Sequence, residues 1–465
     1  MRPLIRRRQR SDITFQLPGV IVHTRVALAG VCPLRMTFIL MLSWTMLLGQ
    51  EIRVGVPSLV ARAPEHRSFT EPILTVHPVH PDYLLAAAMI EAEGASFEER
   101  VAQQTCATFL SLDAGRTWRQ RNFSVTRCFD PWVAVTPDGR AFLSVIGRRS
   151  TGEDGLFIFH SPDGGQTWDD TPINVGGGFD HPTLMVDYQS QKRKGWIYLL
   201  SWQPIRAEDG GRRSALTVMR SLDSGKTFPD PTQVIPNNLV NLAEMPVVLS
   251  DGTLIVSFVE AARWADTQGR LDRFDRWRAW VLRSTDGGHA FSIPLFVTDA
   301  CGPPPAFQLS ALAVDTSTGP FRDRLYFLCG ARERGPITLT FSADRGETWS
   351  TPVAVPPALH DSEPRRVLGL AVNNKGVLAI VHLDHIAQSG DSCQELYFVA
   401  SLDGGLTFLP PRRVSSAPCA AFGDYFGMIT TPDGRFHLVW PEVHGGVSEL
   451  RTMIVEVEGH GAPAR

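Results

Sequence analysis

Short apolar segments alternate with polar turns along almost the whole chain after residue 65, and few stretches have helical periodicity. Typical segments are LFIF at residues 156–159 and AFLSV at residues 141–145. Runs of this length, bounded by Gly, Pro, Asp and Asn, are characteristic of β-strands joined by tight turns. The pattern therefore predicts an all-β chain built from short antiparallel strands.

An eight-residue motif recurs six times between these segments. The pattern Ser-x-Asp-x-Gly-x-x-aromatic starts at residues 111, 161, 221, 284, 342 and 401, so successive copies are 50, 60, 63, 58 and 59 residues apart. Such regular spacing indicates an array of similar supersecondary units. The Asp is suited to accept hydrogen bonds from its own turn, the Gly supplies a positive φ, and the aromatic ring buries apolar surface. We expect each copy to close a hairpin, with a structural role for its Asp.

Two more strand-like segments precede each copy of the motif, so each unit has four strands. A seventh pair of segments, at residues 426–430 and 436–440, has no motif but is followed by another apolar segment at 450–455. The prediction is a single β-propeller of four-stranded antiparallel blades, with seven blades favoured and six as the alternative. The segment 52–56 would supply the missing strand of the last blade and close the ring.

The predicted propeller occupies only part of the chain. We assign residues 51–65 to a closing strand and linker, 66–457 to the propeller and 458–465 to a flexible tail.

Residues 1–50 have a different composition. Five arginines within the first ten residues precede an apolar core at 38–48, which is too short to span a bilayer but suits a signal peptide. We interpret residues 1–50 as a signal or targeting segment, with Met36 as a possible true start; an uncleaved anchor or a misread terminus is the alternative. The expected location is secreted, extracellular or periplasmic, with no integral membrane span after cleavage.

Six cysteines remain beyond this segment, in three sequence-local pairs whose members are 22 to 28 positions apart. Such pairs fit three disulfides between neighbouring strands in an oxidising compartment, with free buried thiols as the alternative. The pairs are Cys106 with Cys128, Cys301 with Cys329, and Cys393 with Cys419.

Charge and motif content narrow the class of partner. A net charge of −3 argues against nucleic acid as the main partner. No Cys-x-x-Cys occurs, and His382 and His385 would point to opposite faces of a strand, so we expect no metal and no cofactor.

Polar residues gather on one predicted face of the propeller. Because the motif joins strands three and four, the opposite face carries the start of every innermost strand. Converging polar groups at the mouth of a propeller form the default site hypothesis. The residues at these strand starts are Glu71, Asp130, Asp180, His181, Glu244, Gln308, Arg365, Arg366, Asp424 and Tyr425.

The repeated motif is the Asp box, and with six copies the chain resembles the sialidase superfamily of bacterial-neuraminidase-repeat propellers over about residues 66–457. In that family a Tyr replaces the usual carboxylate nucleophile, because the substrate carries a carboxylate at its anomeric carbon. A neighbouring Glu activates the Tyr, an Asp is the general acid and base, and three Arg hold the substrate carboxylate.

The family motifs nominate site residues in this chain. The segment CFDPWV resembles the one with the acid/base, which implies that role for Asp130. NLAEMP, followed by EAAR, is similar to the segment with the activating carboxylate and one arginine, which implies Glu244 and Arg263. In GDYFG, Tyr425 starts the last innermost strand, as the family nucleophile does. The resemblance further implies that Arg334 and Arg67 complete the clamp, and that Arg365 or Arg366 takes a place in a rearranged one.

Two functions follow from the charged mouth. The resemblance implies a monomeric secreted glycoside hydrolase of exo-α-sialidase type, which cleaves terminal acidic sugars from glycoconjugates. The alternative is a non-catalytic extracellular propeller that binds a glycan or a protein through the same mouth. Three arginines converging on one carboxylate would favour the enzyme, whereas a mouth of carboxylates alone would favour cation or polyol binding.

Overall fold

The computed structural model describes most of the chain after its first 49 residues. Residues 1–49 of the predicted signal segment and residues 460–465 of the predicted tail lie outside the described part. The described range is 50–459, except residues 95, 207–211, 230–231, 239–240, 244–245, 265–272, 303–309, 331–334, 359–365, 389–390 and 417–424.

The described chain forms seven antiparallel sheets. In six of them the strands pair in chain order, and in the seventh the first described strand pairs with the last. Residues from all seven sheets line one apolar cavity, so the sheets surround a common axis as the blades of a propeller. The structure confirms the all-β propeller and the favoured count of seven blades. We number the blades in chain order by their innermost strands.

The first three blades have four strands each. A short helix, α1 (Phe97–Gln103), interrupts the second connection of blade 1, and a capping box formed by Ser96 and Glu99 starts it. The strands are β3 (Arg67–Val76), β4 (Leu84–Ala92), β5 (Thr105–Ser111) and β6 (Arg119–Asn122) in blade 1; β7 (Val125–Val135), β8 (Ala141–Arg149), β9 (Asp154–Ser161) and β10 (Ile173–Asn174) in blade 2; and β11 (Asp180–Val186), β12 (Ile197–Arg206), β13 (Arg212–Ser221) and β14 (Thr232–Asn238) in blade 3.

The next three blades repeat the arrangement, with the innermost strand of blade 4 in two pieces. The strands are β15 (Asn241–Ala243), β16 (Val247–Val248), β17 (Leu254–Trp264), β18 (Arg273–Ser284) and β19 (Leu295–Thr298) in blade 4; β20 (Ala311–Val314), β21 (Leu325–Cys329), β22 (Thr338–Ser342) and β23 (Val353–Ala354) in blade 5; and β24 (Arg366–Val372), β25 (Leu378–Gln388), β26 (Asp391–Ser401) and β27 (Arg412–Arg413) in blade 6.

Blade 7 combines the two ends of the described chain. Its strands β28 (Gly427–Thr430), β29 (Phe436–His444) and β30 (Val447–Glu458) are completed by β1 (Glu51–Val54), which pairs with the end of β30. Strand β2 (Ser58–Arg62) pairs with the first half of β30, so residues 51–65 contribute two strands to this sheet. Joining early and late strands in one sheet closes the ring.

Side chains that alternate between the two faces of each strand hold neighbouring blades together. In β9, Phe157 packs with Leu85 of blade 1, whereas the next residue, Ile158, packs with Leu184 of blade 3. Successive side chains of a strand point to opposite faces, so one strand supplies two inter-blade cores. Alternating apolar residues thus bury both faces of a blade.

Each Asp box closes the hairpin between strands three and four of its blade. In the first box, the Ser111 hydroxyl accepts a bond from the Gly115 N–H at 2.8 Å, and the Thr117 hydroxyl donates to Asp113 Oδ2 at 2.6 Å. Hydrogen bonds from Thr117 lower the pKa of Asp113 to about 2. The box at residue 284 has Ala290 in place of the threonine. The box carboxylates are therefore occupied within their own turns.

Among the described residues, no helix is both long and apolar enough to cross a membrane.

Candidate active site at the propeller mouth

Bulges interrupt the innermost strands of the first three blades near the face opposite the Asp boxes. At each bulge one non-glycine residue has a left-handed backbone: Glu71 with φ 51°, Asp130 with φ 49° and His181 with φ 48°. A proline follows each of them and donates no hydrogen bond to the ladder, which favours a break in pairing. A bulge re-aims a side chain, so three titratable groups occupy equivalent places in consecutive blades.

Tyr425 joins this row from the last blade. Its phenol oxygen lies 2.5 Å from Nδ1 of His181, and the two rings meet edge to face with centroids 5.6 Å apart. The backbone N–H of His181 donates to Oδ2 of Asp130 at 3.2 Å. The structure thus brings two of the predicted catalytic residues, Asp130 and Tyr425, to the same histidine.

Two carboxylates face the imidazole of His181. Oδ1 of Asp130 lies 4.0 Å from its Nδ1, and Oδ1 of Asp180 lies 3.9 Å from its Nε2. A phenol, a base in contact with it and a carboxylate beside the base form the usual arrangement for activating a nucleophile.

Aromatic and apolar side chains enclose this cluster. Tyr425 is 5% exposed and Asp130 is 6% exposed, and the ring of Trp132 packs edge-on against Tyr425 with centroids 5.4 Å apart. Trp132 and Phe426 also line the apolar cavity of about 340 Å³ on the propeller axis. Low solvent exposure strengthens the electrostatic contacts within the cluster.

The remaining nominated residues have different positions. The guanidinium of Arg67 donates to the carbonyl oxygen of Gln103, the last residue of α1, at 2.9 Å. Arg366 starts β24, the innermost strand of blade 6. Glu244, Arg334 and Arg365 lie outside the described residues, as does the side chain of Arg263. Their roles in a carboxylate clamp stay predictions.

The role of His181 was missed by the sequence analysis, which placed it at a strand start without a function. A usable signal is present in the chain, because a titratable residue stands directly before proline at the start of three innermost strands. The three dipeptides are Glu71-Pro72, Asp130-Pro131 and His181-Pro182.

Disulfides fix the strands on the same face. Cys106 and Cys128 form a disulfide between β5 and β7, two residues before Asp130. The side-chain amide of Gln104 donates to the Cys128 carbonyl at 2.7 Å, which adds a second link to β7 beside the disulfide. Cys301 and Cys329 form a disulfide in blade 5, as the sequence predicts. In the third predicted pair, Cys419 lies outside the described residues, as does the side chain of Cys393.

His382, the first histidine of the His-Leu-Asp-His segment, has a carboxylate partner. Its Nδ1 lies 2.9 Å from Oδ1 of Asp384, and both side chains are fully buried. Asp384 also accepts a bond from the Ala358 N–H at 3.2 Å, in the connection that leads to β24. Among the described residues, no three candidate metal ligands gather in one place.

Sequence comparison identifies one family profile and no individual relative. The profile described as "BNR repeat-like domain" matches residues 182–438. No curated protein sequence matches the chain.

Solved structures share the fold at low sequence identity. An ulvan lyase of a polysaccharide lyase family is 12% identical with a TM-score of 0.53, covering 88% of this chain and 96% of its own. An α-L-arabinofuranosidase of Fusarium graminearum is 11% identical with a TM-score of 0.50, covering 86% of this chain and 97% of its own. The NanB sialidase of Streptococcus pneumoniae is 12% identical with a TM-score of 0.46, covering 86% of this chain and 70% of its own.

Proposed function

The chain belongs to the BNR repeat-like domain family, within the sialidase-like β-propellers, and on that premise we propose that it is a glycan-cleaving enzyme with its reaction centre at Tyr425. The observation that carries the proposal is the 2.5 Å contact between the Tyr425 phenol and His181 Nδ1. A phenol is a weak nucleophile and a weak base until a neighbouring group removes its proton. His181 is placed to remove it.

The first candidate reaction is hydrolysis of the exo-α-sialidase type. The Tyr425 oxygen attacks the anomeric carbon, its proton passes to His181, and Asp130 protonates the departing glycosidic oxygen. Water then breaks the tyrosyl-sugar bond: its proton goes to Asp130, its hydroxyl bonds to the sugar, and the departing Tyr425 oxygen regains its proton from His181. A neutral tyrosine suits a substrate whose anomeric carbon carries a carboxylate, which would repel an anionic nucleophile. The nominated arginines would bind that carboxylate, and Glu244 is the activating carboxylate that the family resemblance implies.

A second candidate is β-elimination from a uronate-containing glycan. The specific observation in its favour is the imidazole partner of Tyr425, because a Tyr–His pair can remove the proton beside a carboxyl group and return one to the leaving oxygen. The fold is shared with an ulvan lyase, a member of a polysaccharide lyase family. Both candidates use the same atoms and the same class of partner, a glycan.

The setting of the enzyme is part of the proposal. Two disulfides fit an oxidising compartment, which supports a secreted protein. We further propose that it acts as a monomer on glycoconjugates or polysaccharides outside the cell.

Product analysis separates the candidates. The full chain is incubated with an α-sialoside and with a uronate polysaccharide, and the products are identified by mass spectrometry. Free sialic acid supports hydrolysis, and an unsaturated uronate with its ultraviolet absorption supports elimination. A folded protein that binds glycans but releases neither product would contradict the enzyme and favour the non-catalytic propeller.

A further inference from the structure

A second, smaller pocket of about 200 Å³ lies between blades 2 and 3, and two of its lining residues stand next to the catalytic cluster in sequence. Phe129 precedes Asp130 and Phe179 stands two residues before His181, so both walls of the pocket continue into the reaction centre. Pockets for drug-sized ligands measure roughly 300–1,000 Å³. A pocket of this smaller size suits one sugar unit or its substituent.

Strand β7 is distorted on both sides of the pocket wall. Arg127 has φ 50° and Asp130 has φ 49°, and the register of β7 against β8 shifts on either side of Phe129. Left-handed non-glycine residues are strained and persist where the surrounding structure demands them. One bulge aims Asp130 at the reaction centre. The other accompanies Arg127 at the pocket.

Two charged side chains, Arg127 and Asp154, line the pocket, and their charges attract one another. Arg127 has no hydrogen-bond or ion-pair partner among the residues that the structure describes. Asp154, on the same pocket, is held by the Arg148 guanidinium through two bonds of 2.7 and 2.5 Å. Bonds and charge from Arg148 hold the pKa of Asp154 below its usual value, so Asp154 is ionised and already paired. One cation is left for a ligand.

The rest of the lining is apolar and open. Phe129 and Phe179 are both partly exposed, and an aromatic face of this kind packs against the C–H face of a sugar. Gly177 and Gly178 form the opposite rim, and a Cβ at either position would meet no atom within 4 Å. The glycines leave the pocket accessible.

We propose that this pocket is a subsite for an anionic substituent, a carboxylate or a sulfate, on the sugar adjacent to the cleaved bond. Arg127 binds the anion through charge-assisted hydrogen bonds, and the two phenylalanine rings contact the ring of that sugar. The inference rests on the proposed function, which places the cleaved bond at Tyr425. It makes the substrate an oligomeric acidic glycan that extends from the mouth towards the groove between blades 2 and 3.

Binding to a Tyr425→Phe background tests the subsite without turnover. Calorimetry compares galacturonate oligomers with their methyl esters, and sulfated galactan oligomers with their desulfated forms. We expect at least one anionic probe to bind more tightly than its neutral form, and Arg127→Gln to weaken that probe about 10- to 100-fold. The neutral forms should bind the parent and Arg127→Gln alike. Tighter binding of galacturonate than of its methyl ester indicates a carboxylate, and tighter binding of sulfated than of desulfated galactan indicates a sulfate.

Two further variants test whether the weaker binding in Arg127→Gln is an indirect effect. Gly177→Trp fills the pocket from its open rim at a backbone position without a positive φ, and should remove binding of the anionic probe. Arg119→Gln makes the same chemical change on the exposed strand β6 and should change nothing. Thermal unfolding checks that each variant is folded. Equal affinity for charged and neutral forms, no binding of either anionic probe, or indifference to both pocket variants overturns the subsite.

Failure of the subsite and failure of the proposed function give different results. Anion-dependent binding at Arg127 with no cleavage by the parent protein keeps the subsite and rejects the enzyme. Cleavage of an acidic glycan with a KM that Arg127→Gln leaves unchanged keeps the enzyme and rejects the subsite.

Discussion

At the scale of single residues, the site depends on side chains aimed by unusual backbone. Asp130 and Tyr425 could be nominated from sequence because their local segments resemble family motifs. The position of His181 between them could not, because a bulge and a left-handed φ of 48° depend on how the whole blade packs. The contact between Tyr425 and His181 joins residues 244 positions apart.

Replacing His181 by glutamine should remove the base that activates Tyr425. We expect kcat to fall about 10²- to 10⁴-fold, the range for losing a positioned acid–base group. Initial rates measure this loss. His160→Gln is the matched control, since His160 contacts Asp169 away from the mouth, and an equal loss in both variants would contradict the assignment.

His437 should make stability depend on pH. It is 1% exposed in β29, and burial, with the nearby Arg435 charge, lowers its pKa to about 4. Between pH 4 and about 6.5 the unfolded state binds a proton that the folded state excludes, so the free energy of unfolding falls as the pH falls. The total change is on the order of 3 kcal/mol.

Urea unfolding at several pH values checks this dependence. His437→Leu should flatten the curve between pH 6.5 and 4 while leaving the alkaline part unchanged in shape. A variant with the same slope as the parent would show that other groups cause the dependence.

At the scale of elements, the Asp boxes and disulfides hold the strands that present the site. The boxes could be predicted from the sequence because the motif is local and each of its hydrogen bonds spans four residues or fewer. Five copies have the same pattern of hydrogen bonds. The remaining copy, which starts at residue 284, differs only where Ala290 replaces threonine. That copy offers a direct test of the box.

Ala290→Thr should stabilise the protein by supplying the missing hydroxyl bond to Asp286. One exposed hydrogen bond contributes about 0.5–1.5 kcal/mol, so we expect a small rise in the free energy of unfolding. Thr348→Ala removes the same bond from the next box and should have the opposite sign. Chemical denaturation measures both. A fall in stability for Ala290→Thr would refute this account of the motif.

Removing the disulfide beside Asp130, the proposed acid/base residue, should affect both stability and activity. For Cys106→Ser with Cys128→Ser we expect about 2–5 kcal/mol less stability, as for other structural disulfides. We also expect a lower kcat, because Cys128 stands two residues before Asp130. Denaturation and initial rates measure the two effects.

The second disulfide is the control for that experiment. Cys301→Ser with Cys329→Ser should cost similar stability but spare the strand of Asp130. Equal losses of kcat in both double variants would mean that activity follows global stability rather than the position of Asp130.

At the scale of the whole molecule, most of the fold was predictable and much of the site was not. The blade count followed from seven pairs of inner segments, and pairing of Ile52 with Val457 places the first described strand in the last blade. These features depend on local patterns repeated around a ring. The mouth depends on loops from different blades, whose positions a local pattern does not predict. Arg67 is an example, because its guanidinium binds the end of α1 rather than a described mouth residue.

The central claim is that glycan cleavage takes place at Tyr425. The most direct measurement is the initial rate of cleavage by the parent, Tyr425→Phe and Tyr83→Phe on the glycan that the product analysis identifies. Tyr83 is a suitable control because its hydroxyl bonds the Asp163 and Gly164 carbonyls in an Asp box. We expect a loss of about 10²- to 10⁴-fold in Tyr425→Phe alone. Undiminished cleavage by a folded Tyr425→Phe protein would contradict the claim.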